Sequence, residues 1–516
     1  MTLNRRQILT AGTLACGIPL PLLAQSAGVL NIALFPEPPT LLAAFGGVAP
    51  AQLVNGNIYE SLLRFDEKLQ PQPSLATSWA VSKDALTYTF KLKPGVTWHD
   101  GKPFTAADVV YTADVFMRKL NPRFRLALEL VQSIQALDAY TVEFRLSSPY
   151  PPFLQLFDVS TFPIAPKHQF EASDLSRPPA VMPVGTGPYK FKEWQRGSFI
   201  QLTRNTAYHV AGLPSVENVY FHVIPDAASR AAAFESGRVD VLPGGSVEFF
   251  DVSRLSKLPG VTVTTKGSEK LAPLAMLWIN HRIPLLQDVR IRRALMHAID
   301  RNGLAKVAWQ GFAVPATGPL NRSTAFYTPK VSSYPYDVTK AKKLLADVGY
   351  KGEPVRLLGL PYGEVWTRTA EMVKQNLLAA GFNVQQVNAD LPGVVSRQSN
   401  WDFDLAFTYF NQYGDPAIGV ARNYISSEIK KGSPYNNVGG YQSAKVDAMF
   451  VRGARESDPN KRAESYAEAQ RTMVDDVAAA WLLDMNFPTV YRTRIDNLIN
   501  SALGLNDSLG RATLRN

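Results

Sequence analysis

Residues 71–110, PQPSLATSWAVSKDALTYTFKLKPGVTWHDGKPFTAADVV, carry the pattern that decides the fold. Apolar residues at 86, 88, 90 and 92 alternate with polar ones, and this two-residue period predicts a half-buried strand. Pro94 and Gly95 end that strand, because proline lacks an amide donor and glycine tolerates a positive φ. Thr105 and Asp108 form an acidic variant of the capping box and predict a helix that begins beside them.

The sequence of this stretch resembles that of the solute-binding proteins of bacterial ABC importers, in the family that binds peptides and nickel. Members typically read "LA-x-SW" and, further on, "YTF-x-L-x-x-GV-x-(W/F)-HDG-x-P-(F/L)-TA-x-DVV". Further phrases of the same family occur at residues 185–191, 288–301 and 336–350, including GTGPY at 185–189. The resemblance therefore extends over nearly the whole chain after the leader described below.

That resemblance implies an α/β, periplasmic-binding-protein-like two-lobed fold of the large type, with an additional small α/β domain inserted in lobe 1. Strands that alternate with helices after residue 350 independently favour α/β layers. The predicted ranges are 28–62 for the first part of lobe 1, 63–184 for the inserted domain, 185–270 for the second part of lobe 1, 271–488 for lobe 2 and 489–516 for the return to lobe 1.

The first 24 residues read as a signal peptide, with Arg5-Arg6 followed by a modest apolar run. Asn4 to Leu9 resembles a twin-arginine export signal, and Ala24 precedes a plausible cleavage point. Thr13 stands where a lipobox has Leu, so lipidation at Cys16 is the less favoured alternative to simple cleavage. We expect a periplasmic protein whose mature part contains no cysteine, since Cys16 is the single cysteine of the chain.

Composition narrows the possible partners. The chain has 516 residues, 46% of them hydrophobic, and 54 basic against 44 acidic side chains. The positive charges are scattered along predicted helices, so we interpret them as solvated faces and expect no nucleic-acid partner.

The common catalytic and cofactor-binding motifs are either missing from the sequence or have the wrong spacing. The chain contains no G-x-S-x-G elbow and no H-E-x-x-H pair. The stretch from Gly95 to Lys102 has the wrong spacing for a phosphate loop, and Pro103 stands where a hydroxyl residue must be. The six histidines show no metal-ligand spacing. We therefore expect no catalytic residue, no metal site and no cofactor.

The loop TYFNQYGDP at 408–416 follows a predicted strand and is the strongest candidate for a binding site. In dipeptide-binding relatives the matching loop reads "GW-x-x-D-x-x-DP", and the resemblance implies that its first Asp holds the peptide's ammonium group. Gln412 replaces that Asp here, and a neutral amide cannot form the charge-assisted bond that an ammonium group needs. Asp415 remains, at a position that in the family is a turn residue before proline.

A second anchor is predicted on the helix that begins near residue 365. By resemblance, Arg368 lies within one residue of the arginine that binds the ligand carboxylate in dipeptide binders. The two anchors together favour a solute with a carboxylate and without an obligatory ammonium group. Aromatic side chains would wall the site, and the remaining predicted ligand contacts are Tyr409, Phe410, Tyr413, Trp366, Trp278, Phe45 and Asn280.

The resemblance implies a solute-binding component that closes about a hinge and delivers its solute to the membrane permease and its ATPases, and we expect it to act as a monomer. Two other classes stay open from the sequence. One is a secreted or periplasmic hydrolase, which would need a nucleophile and a base. The other is a receptor module, which would need a protein partner other than the permease. Nickel or haem delivery is possible within the family, but no histidine or methionine cluster favours it.

Overall fold

A computed structural model describes residues 28–45, 49–120 and 127–515. The predicted signal peptide, Cys16 and the glycines of the loop after Phe45 lie outside these ranges. The strands, in chain order, are β1 (Val29–Leu34), β2 (Leu63–Phe65), β3 (Pro71–Pro73), β4 (Ala76–Val81), β5 (Thr87–Leu92), β6 (Val131–Asp138), β7 (Thr141–Leu146), β8 (Tyr189–Gln195), β9 (Phe199–Arg204), β10 (Asn218–Val223), β11 (Val241–Leu242), β12 (Val261–Thr264), β13 (Leu274–Ile279), β14 (Ala313–Pro315), β15 (Pro354–Leu358), β16 (Asn383–Val387), β17 (Leu405–Phe410), β18 (Ala480–Met485), β19 (Thr489–Arg492), β20 (Ile495–Asp496) and β21 (Thr513–Leu514).

Helices flank these strands in the alternation that the sequence predicts after residue 350. The α-helical segments are α1 (Ala49–Asn55), α2 (Ala106–Tyr111), α3 (Arg118–Leu120), α4 (Lys167–Phe170), α5 (Ala227–Glu235), α6 (Phe249–Leu255), α7 (Pro284–Gln287), α8 (Val289–Ala298), α9 (Arg301–Gly303), α10 (Val338–Asp347), α11 (Glu364–Ala379), α12 (Leu391–Asn400), α13 (Pro416–Gly419), α14 (Ala444–Arg455), α15 (Pro459–Asp476) and α16 (Leu505–Ser508). In the described part of the chain, no helix combines the length and apolar character needed to cross a membrane.

The first large sheet is built from both ends of the chain. It has seven strands in the order β12-β19-β11-β1-β10-β9-β8. Strand β1 lies between β10 and β11 and runs parallel to both, whereas β19 joins antiparallel from near the C-terminus. Strands from the segments 29–34, 189–264 and 489–492 therefore share one hydrogen-bonded sheet.

The second large sheet uses only the long segment between those pieces. Its six strands have the order β14-β18-β13-β17-β15-β16. Strand β13 is buried at every position and lies antiparallel to both β17 and β18, so the centre of this sheet is inaccessible to water. The chain passes into this sheet after β12 and returns from it between β18 and β19, which gives two crossing segments at 265–273 and 486–488.

Four antiparallel strands form a separate sheet in the order β4-β5-β7-β6, and two of them, β4 and β5, come from the stretch 71–110. The strand β5 buries Tyr88, Phe90 and Leu92, which confirms the predicted alternation. Asp108 accepts a hydrogen bond from the backbone N–H of Thr105 at 3.0 Å, and Thr105 completes the predicted capping box at the start of α2.

A buried ion pair ties this smaller sheet region to the first crossing segment. The Nζ atom of Lys270 lies 2.8 Å from an oxygen of Asp158, and both side chains are at most 1% exposed. Lys270 also donates to the carbonyl of Gln155, at 2.7 Å. The three sheets supply a physical basis for the predicted domain ranges, whose boundaries stay a prediction.

Candidate functional site

An aromatic cluster, which we call the aromatic wall, lies at the C-terminal end of β17. The Tyr409 ring stacks on Trp366 with centroids 5.7 Å apart, and Tyr362 meets Tyr409 edge-on at 6.0 Å. Phe487, from the second crossing segment, completes the wall at 6.5 Å from Tyr409. Burial raises the pKa of the Tyr409 phenol to about 12, so this hydroxyl stays protonated and can donate a hydrogen bond.

The wall connects the two large sheet regions. Trp309 packs against Trp366 and Phe487, with centroids at 5.6 and 5.9 Å. On its other side it meets Phe249 of α6 at 5.3 Å, and α6 follows β11 of the first sheet. A continuous aromatic layer therefore runs from the first lobe into the second.

Arg368 lies on α11, the helix that also carries Trp366 of the wall. Its guanidinium is 3.8 Å from the Glu364 carboxylate one turn earlier on the same helix. The Arg368 side chain is 37% exposed, so part of it is accessible to a solute. Trp366, two residues earlier, is only 3% exposed and belongs to the second-lobe core as well as to the wall.

Gln412 is a buried crosslink within its own lobe. Its Oε1 accepts hydrogen bonds from the Asn321 amide at 3.0 Å and the Thr324 hydroxyl at 2.5 Å. Its Nε2 donates to the Pro319 carbonyl at 2.9 Å, and the side chain leaves only 2% of its surface exposed. The amide at this position therefore holds segment 319–324 against the loop after β17.

The Asp415 carboxylate likewise makes its polar contacts within the protein. It caps α13 by accepting from the Ala417 amide at 3.0 Å, and it pairs with Arg462 at 2.8 Å. Burial raises the pKa of the Asp415 carboxyl, and the Arg462 charge opposes that increase. The expectation of a turn Asp before proline agrees with this placement.

The other predicted contacts are spread over different environments. Trp278 is 1% exposed and packs edge-on against Phe410 at 5.3 Å, inside the second-lobe core. Asn280 donates to the carbonyls of Trp401 and Phe403, at 3.1 and 2.9 Å. Both side chains are buried, and the contacts named here are all with other residues of the second lobe.

Two aromatic residues from the predicted set face the inserted domain instead. Tyr413 adopts a left-handed φ of 52° and packs with Ile418 in the hydrophobic cluster of the first lobe and inserted domain. Phe45 meets Phe116 edge-on, with ring centroids 5.5 Å apart. The structure thus brings Tyr409 and Trp366 together, and Tyr413 lies close enough to Tyr409 to act on it electrostatically. Arg368 follows two residues after Trp366 on α11, whereas Phe45, Trp278 and Asn280 pack elsewhere.

Sequence reasoning missed Tyr362, Phe487 and Glu248 at this site. Tyr362 and Phe487 are single aromatic residues in loops, where periodicity carries no information, and only the fold brings them to Tyr409. Glu248 lies in the first lobe, 115 positions before Gly363, yet its Oε1 is 3.7 Å from the place a Cβ on Gly363 would occupy. No local sequence signal could have joined these positions.

The arrangement of His, Asp and Glu side chains can be compared with that of a metal site in the described residues. Within residues 28–45, 49–120 and 127–515, no three or more His, Cys, Asp or Glu side chains converge as a metal ion requires. The histidines bond to neighbours within the protein, as His209 does to Glu60 at 2.9 Å and His168 to Asp100 at 2.8 Å.

Two sheet-centred lobes, linked by two crossing segments and lined by an aromatic wall, define a two-lobed α/β binding protein. The profile of the bacterial extracellular solute-binding proteins, family 5, matches residues 70–431. The chain belongs to this family, and its function is that of the solute-binding component of an ABC importer.

Individual relatives agree with this assignment. The glutathione-binding protein GsiB of Pectobacterium atrosepticum is 30% identical over 410 residues, which cover 76% of this chain and 74% of that protein. The dipeptide-binding protein of Escherichia coli is 27% identical over 435 residues, 79% of each chain. The periplasmic binding protein DppA from Helicobacter pylori, solved with the peptide STSA, superposes with a TM-score of 0.82 at 25% identity and covers 95% of this chain and 98% of that one. All three relatives are binding proteins, and the hydrolase alternative gains no support from them.

Proposed function

We propose that this chain captures a small peptide-like or carboxylate-bearing solute between its lobes and releases it to a permease. The observation that carries the proposal is the aromatic wall, built from both α11 and the second crossing segment, together with the partly exposed Arg368 on the same helix α11. Relatives that bind glutathione or dipeptides support this solute class. Gln412 supplies no charge for an ammonium group, so we infer that a free amine is not required.

The proposal also covers the export of the chain, its location and its closing motion. We propose that residues 1–24 direct export and are cleaved after Ala24, and that the mature chain acts as a periplasmic monomer without catalytic activity. Closure about the crossing segments would favour the form that docks on the permease, because a solute that contacts both lobes binds the closed state better than the open one. If a protein other than the permease were captured from envelope extract, the receptor alternative would gain support.

The test is a thermal-shift screen of the mature chain followed by calorimetry. The library holds glutathione, the dipeptide Met-Leu, N-acetyl-Met-Leu, carboxylated non-peptide compounds, sugars and a nickel–histidine complex. A solute at about a hundred times its dissociation constant adds about 2.7 kcal/mol of stability, which shifts the melting temperature visibly. We expect shifts with carboxylated solutes, including the acetylated dipeptide; shifts confined to sugars or to the nickel complex would refute the proposed class.

A substitution in the aromatic wall tests whether the solute binds there. Tyr362 is 44% exposed, so Tyr362→Ala should leave the fold intact and weaken the solute found in the screen about tenfold, or about 1.4 kcal/mol. Tyr336→Ala is the matched control, because Tyr336 is 46% exposed before α10 and lies outside the aromatic wall. Equal affinity losses in the two variants would contradict a site at the wall.

A further inference from the structure

A polar cavity of about 50 Å³ lies where separate parts of the first lobe meet the inserted domain. Its lining comes from the segments 56–64, 208–213 and 507–511, together with positions 73, 74, 159 and 188. Among the residues that the structure describes, this lining shares no member with the aromatic wall. A water molecule needs about 10–15 Å³ of such volume, so the cavity has room for about four waters or for one ion of about four or five heavy atoms.

A buried carboxylate fixes the orientation of a histidine ring at this cavity. Glu60 and His209 both line the cavity, and their side chains are 9% and 7% exposed. Glu60 accepts a hydrogen bond from the Tyr208 hydroxyl at 2.9 Å, and the His209 Nε2 lies 2.9 and 3.0 Å from its two oxygens. Burial and the Glu60 charge raise the pKa of the Tyr208 phenol, so Tyr208 is the donor. Because a carboxylate only accepts, the Nε2 atom of His209 carries a hydrogen.

Two buried polar atoms at this cavity lack a hydrogen-bond partner in the described part of the chain. They are the Nδ1 atom of His209 and the Oγ atom of Ser61, a residue that is only 2% exposed. The Nδ1 of a neutral ring accepts a hydrogen bond and that of a charged ring donates one, whereas a hydroxyl can do both. Since buried polar atoms nearly always have a partner, this pair points to a small polar occupant.

Two arginine side chains contribute to the lining, and they differ in their partners. The guanidinium of Arg64 lies 3.3 Å from Asp507 and donates to Asn500 at 2.8 Å. Arg511 is exposed and makes no hydrogen bond or ion pair with any residue that the structure describes, although it acts electrostatically on Tyr208. The donors of Arg511 are therefore available to an occupant of the cavity.

The charges around the cavity favour an anion. The lining holds two carboxylates, Glu60 and Asp507, and two arginines. Lys93 adds a third cation, because its Nζ donates to the carbonyl of His209 at 2.8 Å. A cation would meet the opposite balance, and nowhere in the described ranges do three His, Asp or Glu side chains converge as a metal ion requires.

We propose that this cavity is a binding site for a small oxyanion, with hydrogen phosphate as the best fit. Arg511 and Ser61 donate to charged oxygens of the anion. Hydrogen phosphate also carries a hydroxyl, which donates to Nδ1 of a neutral His209; a charged ring donates to the anion instead. The anion joins the beginning, middle and end of the first lobe at one point and stabilises that lobe. The site goes beyond the proposed function and holds whether or not a peptide binds in the cleft.

The first experiment follows thermal unfolding of the full mature chain while sodium phosphate replaces sodium chloride at constant ionic strength. The melting temperature should rise and reach saturation at millimolar phosphate. Exclusion of phosphate from protein surfaces also stabilises the folded state, but that effect keeps growing with concentration. Glycerol 3-phosphate exceeds the cavity volume and should bind at least about tenfold more weakly. A rise that never saturates, or equal affinity for both compounds, would overturn the proposal.

A substitution at an exposed arginine locates the anion without disturbing the fold. Arg511→Gln should weaken phosphate binding about tenfold, which is the loss of one charge-assisted contact. Arg238→Gln is the matched control, because Arg238 is also an exposed arginine of the first lobe but lies outside the lining. Equal losses in the two variants would refute the site. If Arg368→Gln abolished the saturable rise instead, the anion would bind in the solute cleft and the proposal would fail.

His209→Gln separates a binding role of the histidine from a structural one. The glutamine amide can replace Nε2 as the donor to Glu60, but it places no polar atom at Nδ1. We expect the melting temperature in chloride to stay near that of wild type and the phosphate-dependent rise to be lost. If the variant loses the same stability in chloride and in phosphate, His209 only supports the fold and the proposal is wrong.

Hydrogen exchange shows where the anion acts in the unmodified chain. Saturating phosphate should slow amide exchange in the segments 56–64, 208–213 and 507–511, which surround the cavity. Exchange in α11, at 364–379, serves as the internal reference and should not change. Protection of α11 without protection of the three cavity segments would contradict the assignment.

Discussion

At the scale of single residues, Asp484 couples the stability of the second lobe to pH. It lies on β18, is 3% exposed and accepts a hydrogen bond from the Arg322 guanidinium at 2.8 Å. Burial raises the pKa of its carboxyl to about 6, although Arg322 opposes the increase. Because this value lies above the ordinary one of about 3.9, the folded protein holds the proton more tightly than the unfolded chain.

Asp484→Asn should therefore change the pH dependence of stability. The contribution of Asp484 is fully present below pH ~4 and is lost as the pH rises through about 6. The variant lacks this loss, so its free energy of unfolding relative to wild type should grow by about 2 kcal/mol between pH 4 and 7. Urea unfolding across this range is the measurement. Asp402→Asn is the control, since Asp402 is 47% exposed beside Arg356; a similar divergence in that variant would contradict the assignment.

At the scale of elements, the predictions of strands and helix caps were most accurate where interactions between residues close in the chain determine the structure. The strand β5 shows the predicted alternation, and Thr105 and Asp108 form the predicted capping box at the start of α2. After residue 350, the strands β15, β16 and β17 alternate with the helices α11 and α12, as the sequence predicts. Alternation and caps depend on neighbours in the chain, so the sequence carries them.

The GTGPY phrase shows where such local reasoning stops. In the sequence, GTGPY at 185–189 is a family phrase, and the structure gives a physical reason for its glycines in their closeness to another segment. A Cβ on Gly185 would lie 1.9 Å from the Ile58 carbonyl oxygen, and one on Gly187 2.6 Å from the same atom. The Gly187 amide also donates to that oxygen at 2.9 Å. The partner is about 130 positions away, so only the fold reveals it.

Gly187→Ala should accordingly destabilise the first lobe. The backbone at Ile58 cannot yield as a flexible side chain can, and overpacking of this kind costs about 1–3 kcal/mol. The midpoint of urea unfolding should fall by a corresponding amount. Gly359→Ala is the control, because its Cβ would lie 3.2 Å from the Asn388 side-chain oxygen and 3.9 Å from the Val387 carbonyl oxygen, which is an ordinary van der Waals distance. Equal midpoints for the two variants would show that the contact with Ile58 can relax.

At the scale of the whole molecule, each lobe contributes residues to the hydrophobic core of the other. Phe249 of the first lobe belongs to the hydrophobic cluster built on the second sheet. Tyr413 and Ile418 of the second lobe belong to the cluster of the first lobe and inserted domain. This exchange explains why the candidate site could be predicted only in part: Tyr409 and Arg368 are local to one lobe, whereas the contacts of Phe249, Glu248 and Phe487 arise between segments that no periodic pattern links.

Phe249 and Phe250 allow a direct test of whether these shared contacts hold the lobes together. Phe249 is 6% exposed against Trp309, and its neighbour Phe250 is 50% exposed. Truncation of a buried Phe costs about 3–5 kcal/mol, and in Phe249→Ala that loss falls mainly on the closed arrangement of the lobes. We expect small-angle scattering of ligand-free Phe249→Ala to show a larger radius of gyration, and its solute affinity to drop because closure then uses part of the binding free energy. Phe250→Ala changes the same residue type one position along and should alter neither quantity. If Phe249→Ala loses stability while its radius of gyration stays that of wild type, Phe249 stabilises a lobe rather than the closure between them.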